Sequence, residues 1–309
     1  MITADPPRRP LPATFPAGGE EPRLEHSSGH ARRAWARFRA HRMAVAGTAV
    51  LALLTLVAIV APWISPYSPG AIDLQHIAAA PSLAHPLGTD EVGRDVLTRI
   101  LWGGRISLGV GVGSMLIAAG IGITYGAVAG FYGGLVDALM MRAVDLLLSF
   151  PAIFVLLILV SFNRGSVLNV ILYIGLFGWM SMARLVRGQV LSLRERDFVM
   201  AARSVGTPAV RIVVRHLIPN ALAPVIVAAT LGVAGAMLIE AALDFLGFGV
   251  PPDTPTWGNL MTNAEEYFAT APVLAIAPGL VITTAVVSIN FIGDALRDAL
   301  DPHSRQGTR

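Results

Sequence analysis

The chain alternates between long apolar runs and shorter polar segments. An α-helix rises about 1.5 Å per residue, so roughly 20 apolar residues cross the ~30 Å hydrocarbon core of a bilayer. Because helices satisfy their own backbone polar groups in lipid, such runs indicate an all-α, polytopic membrane protein. The pattern predicts six transmembrane helices, at about 43–64, 106–131, 143–160, 167–185, 221–243 and 273–292.

The composition agrees with a membrane location. Of the 309 residues, 54% are hydrophobic and only 14% are charged, whereas soluble domains carry roughly 25% charged residues. Cysteine is absent, which excludes disulfides, thiolate catalysis and cysteine zinc sites. We expect a flexible cytoplasmic tail over 1–40, a membrane domain over 41–302 and a short tail over 303–309. The first of these has no apolar run and does not resemble a cleavable signal peptide.

Arginine placement predicts the orientation of the spans, since cytoplasmic loops carry an excess of basic residues. Arginines cluster before the first span, between the fourth and fifth, and after the sixth. Both termini are therefore predicted to be cytoplasmic. Four residues lie on the predicted outer side and favour the opposite orientation: Arg94, Arg99, Arg105 and Arg164. The first three follow or interleave with acidic residues, so we keep this orientation.

The second span contains a regular glycine pattern. Gly122, Gly126, Gly130 and Gly134 repeat every four residues, which places small residues on one helical face. Another helix can approach closely along such a face. The pattern predicts tight helix packing, with a pore-lining or hinge role as the alternative.

The polar stretch 88–99, before this span, predicts an amphipathic helix at the membrane interface. Asp90 is a suitable N-cap residue, as is the preceding threonine. Asp90 with Arg94, and Asp95 with Arg99, have the i,i+4 spacing of helical ion pairs. We therefore predict structural ion pairs here and no metal site.

The segment 194–220, between the fourth and fifth spans, is predicted to form two short helices. Asp197 is a favourable N-cap residue and Gly206 a favourable C-terminal stop. Thr207 and Pro208 mark a second helix start, and Pro219 marks its end. Flanking spans hold this helix pair against the bilayer, so we predict a mechanical lever and no nucleic-acid partner.

This segment resembles the EAA motif of ABC-importer permeases, which reads Glu-Ala-Ala, three residues, Gly, nine residues, Ile, one residue, Leu-Pro. Met200 stands where the motif has glutamate, His216 where it has isoleucine and Ile218 where it has leucine. By resemblance, the segment transmits motion from an ATPase to the permease. The predicted coupling residues are Asp197, Met200, Ala201, Ala202, Gly206, Pro208, His216, Pro219 and Asn220.

The stretches 88–95, 245–258 and 293–302 are similar to C-type permeases of the dipeptide, oligopeptide and nickel transport family. The resemblance covers about 33–302 and implies a type I importer permease in a bacterial inner membrane. The implied partners are a homologous permease, two ATPase subunits that bind ATP and magnesium, and an extracytoplasmic solute-binding protein. The implied activity is peptide import by alternating access, with nickel or another small solute as the alternative.

No catalytic residue, cofactor site or metal site is predicted in this chain. A P-loop requires lysine, and the sequence contains none. Glu240 and Asp244 lie at the outer end of the fifth span. Ionisable groups in spans face protein or water, so Glu240 either lines the translocation pathway or forms a structural ion pair. An ion-driven secondary transporter would need such groups at mid-membrane, but these two lie near one edge. A membrane enzyme would need a paired nucleophile and base, and the sequence shows no such pair.

Overall fold

A computed structural model describes residues 28–162, 166–264 and 266–300. Within these ranges the long elements are α-helices, joined by turns and by one short 3-10 helix at Asn259–Met261. The helices are α1 (Ser28–Ala40), α2 (Arg42–Ile64), α3 (Val96–Tyr132), α4 (Gly134–Leu148), α5 (Ala152–Phe162), α6 (Val167–Leu193), α7 (Asp197–Ser204), α8 (Ala209–Ile212), α9 (Ile218–Phe245) and α10 (Val273–Leu300).

Five helices in the described part of the chain are long and apolar enough to cross a membrane. They are α2, α3, α6, the continuous rod Ala209–Phe245, and α10. Each contains one of the predicted apolar runs, so five of the six predicted spans are confirmed as single helices. The all-α, polytopic fold class is confirmed as well.

The third predicted span, 143–160, is wrong as a straight helix. The chain instead forms α4 and α5, which are bent by 79° at a short break. The break contains Pro151, which disfavours the helical conformation at the residue before it and has no N–H to donate. A proline within an apolar run therefore divides the span into two pieces.

The packing of α3 against α6 shows that this bent pair crosses the bilayer once. Gly113 of α3 lies against Ile171 near the start of α6, and Gly130 lies against Val190 near its end. The two helices therefore run in the same direction. Because α3 and α6 are parallel, α4 and α5 together must return the chain to the side where α3 began, which gives six crossings.

The glycine face of α3 makes this close packing possible. A Cβ atom on Gly122 would lie 2.6 Å from the Cβ of Met182, and one on Gly126 only 2.3 Å from the Ala183 carbonyl oxygen. Gly130 is similarly close to α6. The predicted helix packing is thus confirmed for these glycines, whereas Gly134 starts α4, and a Cβ on it would meet no packing partner within 4 Å.

Helices α2, α3, α9 and α10 form the other half of the bundle. Gly104 of α3 lies against Ala58 near one end of α2, and Gly47 near the other end of α2 lies against Ser288 of α10. With six crossings, α2 begins and α10 ends on the same side. We call that side the α7 face, since α7 lies there, and the opposite side the loop face.

The start of the chain differs from the predicted tail. Residues 28–40 form α1, which packs against α10 and α2, whereas 1–40 was expected to lack regular structure. The Trp35 and Phe38 rings stack with 5.8 Å between centroids, and His41 caps α2 by accepting a hydrogen bond from the Ala44 amide (3.2 Å). Residues 1–27 and 303–309 lie outside the described residues.

The predicted interfacial helix at 88–99 is also wrong. Residues 88–95 form turns, and the helix begins at Val96 with Asp95 as its N-cap, accepting from the Thr98 amide at 2.7 Å. The Asp90–Arg94 pair is confirmed at 2.6 Å. Asp95 is occupied by capping, so Arg99 turns instead to Asp90, at 3.7 Å.

Arg94 and Arg99 join two segments on the loop face, the one between α2 and α3 and the one between α9 and α10. Both side chains are buried, and both donate to the Pro252 carbonyl, at 3.3 and 2.9 Å. Arg99 also donates to the Pro69 carbonyl at 3.4 Å. These arginines are thus neutralised within the protein, which weakens the objection that they raised to the predicted orientation.

Candidate coupling segment and buried carboxylates

Gly206 stops helix α7 as predicted, two residues after its last helical residue, Ser204. Gly206 has a φ of +74°, a conformation that glycine adopts at little cost. The Gly206 amide donates to the Arg203 carbonyl (2.9 Å) and the Thr207 amide to the Ala202 carbonyl (3.1 Å). This is the Schellman arrangement, which satisfies the last carbonyls of a helix. At the other end the N-cap is Arg196, and Asp197, predicted as the cap, is the first helical residue.

The second predicted helix is not separate from the membrane span. Pro208 is the N-cap of α8, and α8 continues through a π-helical turn (Val213–Leu217) into α9. Pro219 lies in the first turn of α9 and does not end the helix. A proline has no N–H to donate and its ring crowds the preceding turn, and the wider π turn lies directly before it. The segment is therefore one short helix followed by the start of a span.

Three apolar side chains anchor the segment to the bundle. Val199 of α7, Ile212 of α8 and Leu217 of the π turn are buried in one cluster with Val186 and Val190 of α6. A cation–π contact adds to this anchoring. The Arg203 guanidinium of α7 lies 5.3 Å from the centroid of the Phe131 ring at the end of α3. Movement of the segment would therefore be passed to α3, α6 and α9.

The same segment also exposes apolar side chains. Val205 is 81% exposed, Val210 72% and Met200 49%, and Phe198 is also exposed. We call these four residues the coupling patch. Large apolar side chains grouped on one short segment are typical of a protein-binding surface.

The structure places all nine predicted coupling residues on this segment. Asn220 donates from its amide group to the His216 carbonyl at 2.6 Å, so these two residues contact each other. Ala202 and His216 are half-buried, and the other seven are exposed. Their role in coupling stays a prediction. The exposed members are Asp197, Met200, Ala201, Gly206, Pro208, Pro219 and Asn220.

Glu240 lies inside the protein, between α9 and α3. Its side chain is 1% exposed and accepts a hydrogen bond from the Ser107 hydroxyl at 3.1 Å. The same hydroxyl accepts from the Trp257 amide at 3.1 Å. Glu240 therefore does not line an open surface in this conformation, and its role in a pathway stays a prediction.

Asp244 organises the loop that follows α9. Its carboxylate accepts hydrogen bonds from the Val250 amide, at 2.6 Å, and from the Thr256 hydroxyl, and its carbonyl accepts from the Thr262 hydroxyl at 3.0 Å. Trp257 in this loop is buried and donates to the Ile100 carbonyl at 3.0 Å. Asp244 thus acts as an internal cap for the loop, which the spacing of residues did not predict.

Two ion pairs between α4 and α6 were missed by sequence reasoning. Asp137 accepts two hydrogen bonds from Arg187, at 2.5 and 2.6 Å, and Asp145 pairs with Arg184. Both pairs join residues at least 39 positions apart. They fix α4, the first helix of the bent pair, to the part of α6 nearest α7.

Comparison with known proteins assigns the chain to a family. A family model described as "binding-protein-dependent transport system inner membrane component" matches residues 122–306, more than half of the chain and all of the coupling segment. The chain belongs to this family. A second model, the N-terminal transmembrane domain of oligopeptide transport permease C, matches residues 31–84 of this permease.

Relatives of this permease align over nearly its whole length. The oligopeptide transport system permease protein OppC of Haemophilus influenzae is 40% identical over 289 residues, 92% of this chain and 93% of the relative. The dipeptide transport system permease protein DppC of Alkalihalophilus pseudofirmus is 39% identical over 88% of this chain and 89% of its own. The glutathione transport system permease protein GsiD of Escherichia coli is 39% identical over 87% and 89%.

Proposed function

We propose that this permease imports peptides by alternating access. Its relatives are named for oligopeptide, dipeptide and glutathione transport, and all three substrates are peptides. The proposed assembly contains a homologous permease, two ATPase subunits and an extracytoplasmic solute-binding protein. ATP and magnesium would be bound by the ATPases, because a P-loop needs lysine and this chain has none.

The proposed orientation places the α7 face in the cytoplasm of a bacterial cell, with both termini on that side. The arginines around α1 and α7 support this orientation through the positive-inside preference. Two loop-face arginines that opposed it, Arg94 and Arg99, are buried and bound to the chain itself.

The coupling patch is the observation that carries the proposal. Its side chains are exposed, while Val199, Ile212 and Leu217 root the same segment in the bundle. A partner that binds the patch would therefore pull on α3, α6 and α9 together. This is the geometry that a lever between an ATPase and a transmembrane pathway requires.

Substitutions at Gly206 test the lever. No atom lies within 4 Å of a Cβ built on Gly206, so a side chain there meets nothing within this chain. Gly206→Ala adds only backbone strain of about 1 kcal/mol. Gly206→Asn and Gly206→Asp relieve part of that strain, since these residues adopt a positive φ more readily, but they project further from the surface.

We expect Gly206→Asp and Gly206→Asn to weaken co-purification of the ATPase, or to uncouple ATP hydrolysis from uptake, more than Gly206→Ala does. Met200→Glu, which restores the family motif, should be tolerated. The measurements are ATPase co-purification and uptake in proteoliposomes at matched protein levels. A larger defect in Gly206→Ala would indicate that strain alone matters, and full assembly with normal uptake in Gly206→Asp would refute the lever.

The energy source is tested separately in the same proteoliposomes, by varying ATP and the proton gradient independently. Uptake should follow ATP. Uptake that follows the gradient and ignores ATP would instead identify an ion-driven carrier.

A further inference from the structure

A groove opens on the bundle between α2, α3, α9 and α10. Its volume is about 510 Å³, and its lining is almost entirely apolar. The two threonine hydroxyls in the lining donate to carbonyls of their own helices, at 2.8 Å in α2 and 2.9 Å in α9. Arg105 is the one charged residue among the residues that line the groove.

Arg105 lies within the membrane-spanning region, near the loop face. The preceding residue, Gly104, contacts Ala58 of α2, which is six residues before the end of α2 at Ile64. At about 1.5 Å per residue, this contact lies roughly 9 Å below the loop-face end of α2. The long arginine side chain can reach from this depth to the level of the lipid headgroups.

The Arg105 guanidinium has no acidic partner among the described residues. The side chain is exposed, its guanidinium lies 5.5 Å from the centroid of the Trp102 ring, and it makes no hydrogen bond or ion pair with another described residue. A charged group at this depth is costly unless an anion or water satisfies it. The Arg105 guanidinium is therefore open to an anionic group at the level of the lipid headgroups.

From Arg105 the groove runs toward the middle of the bilayer. Along α2 its lining extends from Ile59 to Leu51, a distance of roughly 12 Å at the helical rise. One leaflet is roughly half of the ~30 Å hydrocarbon core, so the groove has the length of much of one acyl chain. Its outer end carries a cation, and its wall is almost entirely apolar.

We propose that this groove binds a phospholipid of the loop-face leaflet, with its phosphate on Arg105 and one acyl chain along the apolar wall. Arginine binds phosphate with two parallel hydrogen bonds, and hydrocarbon needs no donors or acceptors from the wall. A peptide would suit the groove poorly, because the two threonine hydroxyls are the only polar groups besides Arg105 among the described lining side chains, and both already donate their protons within their own helices.

Two substitutions test the two halves of the site, and each has a matched control. Arg105→Gln removes the cation, and Arg142→Gln removes an exposed arginine on α4, outside the groove. Gly109→Leu fills the groove, since no atom lies within 4 Å of a Cβ at Gly109. Gly120→Leu makes the same change on the same helix, at an equally open position outside the groove.

The measurement is native mass spectrometry of the full chain, purified in detergent with the subunits that co-purify, and titrated with phosphatidylglycerol. We expect the parent chain and both controls to retain a bound lipid. Arg105→Gln and Gly109→Leu should each weaken retention by roughly tenfold, the usual effect of losing a charge-assisted contact or its apolar counterpart.

Unchanged lipid retention in either groove variant would overturn the proposal. If retention is unchanged but a co-purifying permease is lost, the groove is an interface with that subunit. If retention is unchanged but the KM for peptide rises, Arg105 belongs to the transport pathway. Because binding is measured without transport, failure of the peptide-import proposal would leave this test intact.

Discussion

Gly126→Ala should destabilise the bundle although alanine favours helices. The new methyl group would lie 2.3 Å from the Ala183 carbonyl oxygen and 2.9 Å from the Val186 Cβ, whereas comfortable contacts are near 3.5–4.0 Å. The first is a backbone atom and the second a Cβ atom, and neither can rotate away. Gly122 and Gly130 also pack closely on either side, with nearest atoms 2.6 and 2.9 Å from a Cβ, so α3 and α6 cannot slide to relieve the contact.

The size of the effect follows from comparison with Gly120→Ala. Gly120 lies on the same helix with no atom within 4 Å of its Cβ position, so both variants gain the same helix propensity, up to about 1 kcal/mol. Only Gly126→Ala incurs overpacking, which typically costs about 1–3 kcal/mol. The difference between the two free energies of unfolding should therefore be about 1–3 kcal/mol.

The assay is reversible unfolding of the purified chain in mixed micelles, followed by helix content at increasing denaturing detergent. Gly126→Ala should unfold at a lower fraction of denaturing detergent than Gly120→Ala. Equal stability of the two variants would mean that α3 and α6 are not packed backbone to backbone. It would also remove the argument that their parallel contact fixes six crossings.

Two further predictions use other parts of the chain. Because cysteine is absent, single cysteines report topology cleanly: an impermeant maleimide applied outside the cell should label Asp253→Cys and not Ser204→Cys, and the reverse pattern would invert the orientation. Asp137→Asn should lower the free energy of unfolding by about 1 kcal/mol, a modest value because Arg187 is partly exposed. The double variant Asp137→Asn, Arg187→Gln should recover part of this loss in the same unfolding assay, and full additivity would argue against the pair.

Length and hydrophobicity were sufficient to predict most spans, because lipid imposes one dominant requirement on a crossing helix. The exception was the bent pair of α4 and α5. Pro151 was visible in the sequence, but hydrophobicity alone does not distinguish a straight span from one that a proline breaks. That α4 and α5 together cross the bilayer follows from α6 running parallel to α3. This parallel arrangement is known only from contacts such as that of Gly130 with Val190.

Local rules succeeded at Gly206 and failed at Pro219. Gly206 needed only a positive φ, which its own residue type provides. At Pro219 the outcome depended on the preceding turn, which widens into a π-helical turn and lets the chain continue into α9. The role of a proline therefore depended on backbone geometry that residue type does not specify.

The contacts of the polar groups on the loop face were beyond reach of one sequence. Ser107 and Trp257 contact each other across 150 positions of sequence. Arg99 and the Pro252 carbonyl do so across 153 positions. Side chains such as Asp244 had several possible partners at similar depth. Only the folded arrangement of α3 and α9 selects among them.

The ion pairs between α4 and α6 have a consequence for how the protein is made. Asp137 and Asp145 leave the ribosome well before their partners, which follow 50 and 39 residues later. Until α6 is synthesised, α4 carries two carboxylates without their α6 partners, next to the short apolar helix α5, and this is a weak signal for insertion. The bent pair should therefore settle in the membrane together with α6 rather than in strict order of synthesis, and loss of Arg184 and Arg187 would first show as a defect in insertion.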